Sequence, residues 1–206
     1  MGNQSQRDAF YDEADIFEWV KRKGVQSGKF SDLLKVTYPE KYEDSLKHNE
    51  YEKTVIESIA PGVVFTSLQQ SLMCDSVAVL RPKLSKLEKA KAIFNAYYYA
   101  GLPYDYNFNF LKDDALVCSE LIYKSYQPSD NQKGIQFPLS NIAGRMIMPA
   151  NEIAKMVSNE QESEHQQLEL VAFLDGNESK RIAQESNLEA FITSWSRPKW
   201  HVFLEE

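Results

Sequence analysis

Gly101-Leu102-Pro103-Tyr104-Asp105-Tyr106-Asn107-Phe108, then Asp113-Asp114, then Val117-Cys118-Ser119-Glu120-Leu121-Ile122-Tyr123: this stretch decides how the chain is read. Gly101 stands where a helix-ending left-handed glycine belongs, and Pro103 prevents continuation. A new helix is predicted from Cys118 to Tyr126, stopped by Pro128, with Leu121, Ile122 and Tyr126 on its buried side. Cys118 then lies in the first turn, where unpaired backbone N–H groups and the positive end of the helix dipole favour a thiolate. A cysteine so placed is a candidate nucleophile. Polar neighbours on both sides, Asp113-Asp114 and Ser119-Glu120, put this helix start near the surface.

Upstream, Ser85 and Glu88 form a capping-box signature for a helix over 85–100, with Leu87, Ala90, Ile93, Phe94 and Tyr97 at helical spacing. Residues 53–66 read as two strands around Pro61-Gly62, because β-branched residues dominate and the Pro-Gly pair marks a turn. One helical turn is expected over 67–71 and a strand over 75–80. Between Asp15 and Lys35 the apolar anchors suggest a short strand or helix, a turn and a short helix. Downstream, 128–148 reads as an irregular connection. A short helix follows over 151–157, then a strand over 168–174, a helix over 188–195 and a closing strand over 200–204. Strands and helices do not alternate as βαβ units, so the class is α+β. The 206 residues fit one domain, with 1–12 flexible. The aromatic side chains between Tyr97 and Phe110 are expected mostly in the core, or else walling an apolar groove.

Composition narrows the function. With 23 basic against 30 acidic residues, a net charge of -7 and no Lys/Arg stripe, the chain lacks the means to neutralise nucleic-acid phosphates. Two cysteines, Cys74 and Cys118, do not make a disulfide scaffold and read as reduced thiols. No apolar stretch approaches the roughly 20 residues needed to span a bilayer. The polar start, Met1 to Arg7, has no signal-peptide apolar segment, so a cytoplasmic location is expected. Histidines and cysteines show no zinc-ligand spacing and no glycine-rich phosphate loop is present, so neither metal nor cofactor is implied.

The block from Gly101 to Tyr126 resembles the permuted papain-like cysteine hydrolases of the NlpC superfamily, the YiiX/YebB-like group. In that group a G-x-P-Y-D-x-x-F block leads into Y-C-S-E-L/V, and here Val117 replaces the aromatic. Ala14-Asp15-Ile16, Val55 to Val63, Asp75 to Pro82 and Arg197-Pro198-Lys199-Trp200 extend the likeness over most of the chain. The resemblance implies a bacterial protein with a permuted papain-like fold, an antiparallel sheet or partial barrel packed with helices. It also implies thiolate attack on the amide or ester carbonyl of a peptide, cell-wall peptide or lipid-linked substrate. By motif, Cys118 corresponds to the nucleophile and Glu57 to the residue that orients the imidazole. Tyr104, Asp105 and Asp44 are the candidate substrate-binding residues.

One position departs from the pattern. The family histidine belongs where this chain has Asp44, two residues after Tyr42. Aspartate cannot replace an imidazole base, and a carboxylate beside a thiol disfavours the thiolate. His48, four residues on, points to the same face if the segment is extended, but about 13 Å further along the strand at about 3.3 Å per residue. It is the candidate base, with His165 and His201 as substitutes. The alternative is a degenerate member that binds a ligand through the same pocket without cutting it.

Overall fold

The computed structural model describes residues 10–42, 47–48, 50–108, 110, 112–142, 144–177 and 180–197. Within these the chain forms two compact units, one of residues up to Met73 and Leu84–Pro149, the other of Cys74–Lys83 and the residues from Ala150 onward. Helices and antiparallel sheets coexist without a closed barrel, as the α+β reading requires. No described helix is long and apolar enough to cross a membrane.

The first unit begins with α1 (Ala14–Arg22) and α2 (Phe30–Thr37). Ile16, Trp19 and Val20 recur at helical spacing and are buried, as are Phe30, Leu33 and Leu34 on α2. They close on Ala90 of α4 (Lys86–Tyr99), with Phe94 edge-on to Trp19 at 5.7 Å. Ser85 caps α4 as its sequence indicates, its hydroxyl accepting from Glu88 N–H at 3.2 Å. The other half of the predicted box does not form. Glu88 turns its carboxylate to Lys91 and to the Lys133 and Gly134 amides instead, tying α4 to the loop after the last helix of this unit.

The sheet of this unit has the order β1-β2-β3, all antiparallel: β1 (Lys47–His48), β2 (Tyr51–Ile59) and β3 (Gly62–Ser67). The β2–β3 hairpin turns at Ala60-Pro61, one residue before the expected Pro61-Gly62, with Gly62 already paired to Ile59 as the first residue of β3, and α3 (Leu68–Ser71) follows it. Helix α5 runs from Cys118 to Tyr126, the predicted bounds. Its buried face is not the predicted one. Leu121 is buried, but Ile122 is 40% exposed while Glu120 and Ser125 are buried. The aromatic run also departs from the core expectation: Tyr98, Tyr106 and Phe108 are exposed. The connection read as irregular holds a hairpin, β5 (Ser140–Ile142) with β6 (Arg145–Ile147), turned at Gly144 with φ +79°.

The second unit pairs β4 (Val77–Pro82) with β7 (Leu168–Asn177), and β7 with β8 (Ile182–Ser186), a strand the sequence reading missed. Polar Gln184, Glu185 and Ser186 hide β8, which lies at the sheet edge and is largely exposed. Helices α6 (Ala150–Glu160) and α7 (Leu188–Ser194) complete this unit, and Phe173 of β7 meets Phe191 of α7 edge-on at 5.5 Å. The expected closing strand over 200–204 and most of the 1–12 segment lie outside the described residues.

A close approach of backbones fixes the segment that leads to Cys118. A Cβ on Gly62 would stand 2.2 Å from Leu102 O and 3.0 Å from Pro103 Cα. Gly62→Ala is therefore expected to lower the free energy of unfolding by about 1–3 kcal/mol, the usual range for overpacking. The measurement is a urea melt, with a lower midpoint at unchanged slope. An unchanged midpoint would show that this approach does not constrain the fold.

Candidate active site

The site is assembled from backbone first. Residues 101–105 lie along the start of β3: Gly101 N–H donates to Val63 O at 2.8 Å, and Val63 N–H to Leu102 O at 2.8 Å. Tyr104 N–H donates to Pro61 O at 3.2 Å. The strip then pairs in parallel with the residues before α5. Leu116 N–H donates to Pro103 O at 3.0 Å, and Asp105 N–H to Leu116 O at 3.2 Å. The same Leu116 carbonyl accepts the buried hydroxyl of Ser58 at 2.6 Å. Val63, Leu116 and Leu121 form an apolar cluster beneath this crossing, with Ile56, Tyr99 and Leu102 packed on it. Cys118 is thereby placed two residues beyond a fixed point, as the first residue of α5, and it is exposed.

Tyr104 pairs in parallel with Leu116, two residues before Cys118. Its phenol is pushed above the ordinary tyrosine value by burial first, then by Cys118, Tyr106 and Asp105 nearby. The two rings Tyr104 and Tyr106 meet edge-on at 5.0 Å. Asp105 is buried, and its Oδ1 accepts the Asn107 amide at 2.8 Å, so it shapes the turn after Tyr104. Of the sequence-derived candidates, then, the structure brings Cys118, Tyr104 and Asp105 together.

Glu57 sits differently. Its Oε1 accepts the Thr66 hydroxyl at 2.5 Å and the Ser71 hydroxyl at 2.9 Å. Successive strand residues point to opposite faces. Ser58 faces Leu116, so Glu57 faces away from the segment that carries Cys118. His48 pairs with Tyr51 on the β1–β2 ladder, six residues from Glu57 along β2, or roughly 20 Å at about 3.3 Å per residue. The ladder does not bring His48 to Glu57. Asp44 and His201 lie outside the described residues, and His165 is exposed in the second unit.

Three residues at the site, Glu120, Lys124 and Ser58, carry no functional weight in the sequence. Glu120 is fully buried, and its Oε2 accepts the Val117 amide at 3.4 Å, reaching back to the residue that precedes the helix. Lys124 Nζ lies 3.5 Å from Glu120 Oε1 and is hydrogen-bonded to Asp113. The i,i+4 Glu–Lys spacing was visible in the sequence, but that pattern usually marks an exposed helix face. Ser58 was hidden behind the stronger signal of Glu57.

The profile of the permuted papain-like amidase family (YaeF/YiiX, C92) matches residues 16–188. No curated protein and no solved structure matches the chain. A match that runs through both strands of the β2–β3 hairpin, the 101–105 strip and the Cys118 helix covers the whole candidate site, and on it the chain belongs to the permuted papain-like amidase family.

Proposed function

We propose that this protein is a cysteine hydrolase in which Cys118 attacks the carbonyl carbon of an amide or ester, in a peptide, a cell-wall peptide or a lipid-linked substrate. One observation carries the reading: Cys118 opens α5 in an exposed position, two residues after the Leu116 that pairs with Tyr104, inside the region that matches the family. In the reaction the sulfur forms a thioester with the acyl group, and the amine or alcohol leaves with a proton. Water then releases the acid and returns the thiol. Backbone N–H groups of the first turn of α5 are the donors available to a developing oxyanion. Tyr104 would line the site through its partly buried ring, and Asp105 would hold the turn that presents it.

The base is the open part of this assignment. His48 is the sequence candidate, but its pairing with Tyr51 favours a second reading, a module that binds the same carbonyl ligands without cleaving them. The two readings differ in whether Cys118 turns over. With a p-nitrophenyl ester as probe, the hydrolase reading expects release of nitrophenol together with an acyl adduct on Cys118 in intact-mass spectra. Cys118→Ala should reduce release to the uncatalysed background, and Cys74→Ala should leave it unchanged.

Alkylation of Cys118 by iodoacetamide, with Cys118→Ala as control for Cys74, gives an independent measure. Rapid reaction at about pH 6 supports an activated thiol, whereas reaction only above about pH 8 supports the binding module. Should Cys118→Ala hydrolyse the ester as fast as the parent protein, the nucleophile is misassigned.

A further inference from the structure

The first turn of α5 is held by a carboxylate that is sealed from solvent. Glu120 has no exposed surface, yet it belongs to the helix whose first residue is the exposed Cys118. The residue before the helix, Val117, has no polar side chain with which to cap it, and it is itself buried. Glu120 makes the reciprocal bond, its Oε2 accepting the Val117 amide at 3.4 Å. Its other oxygen, Oε1, has no hydrogen-bond donor in range, only the Lys124 ammonium at 3.5 Å. Lys124 in turn binds Asp113, in the loop that enters Leu116. The chain Asp113–Lys124–Glu120–Val117 N–H therefore ties the loop before the helix, its first turn and its second turn into one clamp.

We propose that Glu120 is a positioning residue for Cys118: its carboxylate, held by Lys124 and the Val117 amide, sets the orientation of the turn from which the sulfur projects. The inference rests on the nucleophile's role given to Cys118 above. It adds a residue that touches neither substrate nor sulfur and acts through the backbone.

The groups that face Glu120 give the clamp a pH signature. Lys124 comes from its own helix, Asp105 from the strip paired with Leu116, and Tyr99 from α4. Burial pushes the Glu120 carboxyl from 4.5 up to about 7, while Lys124 and the Val117 amide pull it back and Asp105 adds to the rise. Glu120 is thus neutral at mildly acid pH and charged above about 7. Ionisation strengthens both the bond from Val117 N–H and the attraction to Lys124. Unfolded, the same carboxyl loses its proton near 4.5, so the folded protein binds the extra proton between 4.5 and about 7. Stability contributed by this group is then lost as pH rises across that window.

The experiment is the pH profile of Cys118 modification by iodoacetamide in the whole protein, followed by mass spectrometry, for three proteins. The parent profile should show an inflection near 7. Glu120→Gln keeps the shape and an amide oxygen for the Val117 N–H but has no charge to gain, so the inflection should vanish. Lys124→Met removes a group that pulls the Glu120 carboxyl down, so the inflection should move to higher pH. Melting temperatures read the buried carboxyl separately: the difference between Glu120→Gln and the parent should grow from about pH 4.5 to about 7 and then level. If the melting difference follows pH while the parent and Glu120→Gln modification profiles superpose, Glu120 is structural only and the positioning role is overturned. If neither changes with pH, the clamp itself is wrong. Should the inflection appear and respond to both variants while the nitrophenyl ester is not hydrolysed, the positioning role stands and the hydrolase reading falls.

Discussion

The carbonyl of Leu116 is the point on which the site depends. It accepts a buried hydroxyl from Ser58 and an amide from Asp105, while the Leu116 amide is given to Pro103. These bonds join β2, the strip after α4 and the approach to α5 in one place, over the apolar cluster of Val63, Leu116 and Leu121. Buried backbone groups must be paired, and here each pairing also sets a distance. Cys118 lies two residues further on, so its backbone is placed close to that anchor.

This arrangement explains why the approach to the helix is so apolar and its first turn so polar. Leu116 and Val117 are sealed in the cluster, and α5 therefore starts without a capping side chain at Val117. Glu120 reaches back to accept the Val117 amide, and the cost of burying that carboxylate is partly offset by Lys124 and, through it, Asp113. Burial opposes the charge on Lys124, but Asp113, Glu120 and Tyr99 together hold it above the ordinary lysine value. A cysteine that must be exposed is thus presented by a turn whose supports are buried.

The β1–β2 ladder raises the question specific to this chain. A papain-like reaction needs an imidazole at the sulfur, and the family pattern meets Asp44 where that histidine belongs. His48 is the next histidine along the chain, but a strand advances by a fixed distance per residue, and the pairing of His48 with Tyr51 sets it far from Glu57. Glu57 meanwhile gives its carboxylate to Thr66 and Ser71. The Cys118 end of the candidate site is built from closely bonded parts, and the described residues bring neither Glu57 nor the β1–β2 ladder's His48 into that assembly.

Much of this was legible in the sequence because it rests on local rules. Gly101 and Pro103 ended α4, the turn at Pro61 joined the hairpin strands, and Cys118 and Pro128 bounded α5, since each sets backbone angles or bonding within a few residues. The motif around Cys118 and Tyr104 gave the family for the same reason: its residues are contiguous. What the sequence left open depends on which face meets which. Glu88 fits a capping box by spacing, yet its carboxylate went to the Lys133 amide, and Glu120, one of the polar neighbours that placed the helix start near the surface, is itself buried and bonded to the Val117 amide. Ile122 was taken for a core residue and proved exposed, because tertiary packing turned the Glu120 and Ser125 side of α5 inward. The strand register, which separates His48 from Glu57, is set by pairing across the sheet. Sequence alone named the candidate nucleophile and its helix; only the fold decided which side chains stand behind it, because burial and register are properties of packed elements and not of any one of them.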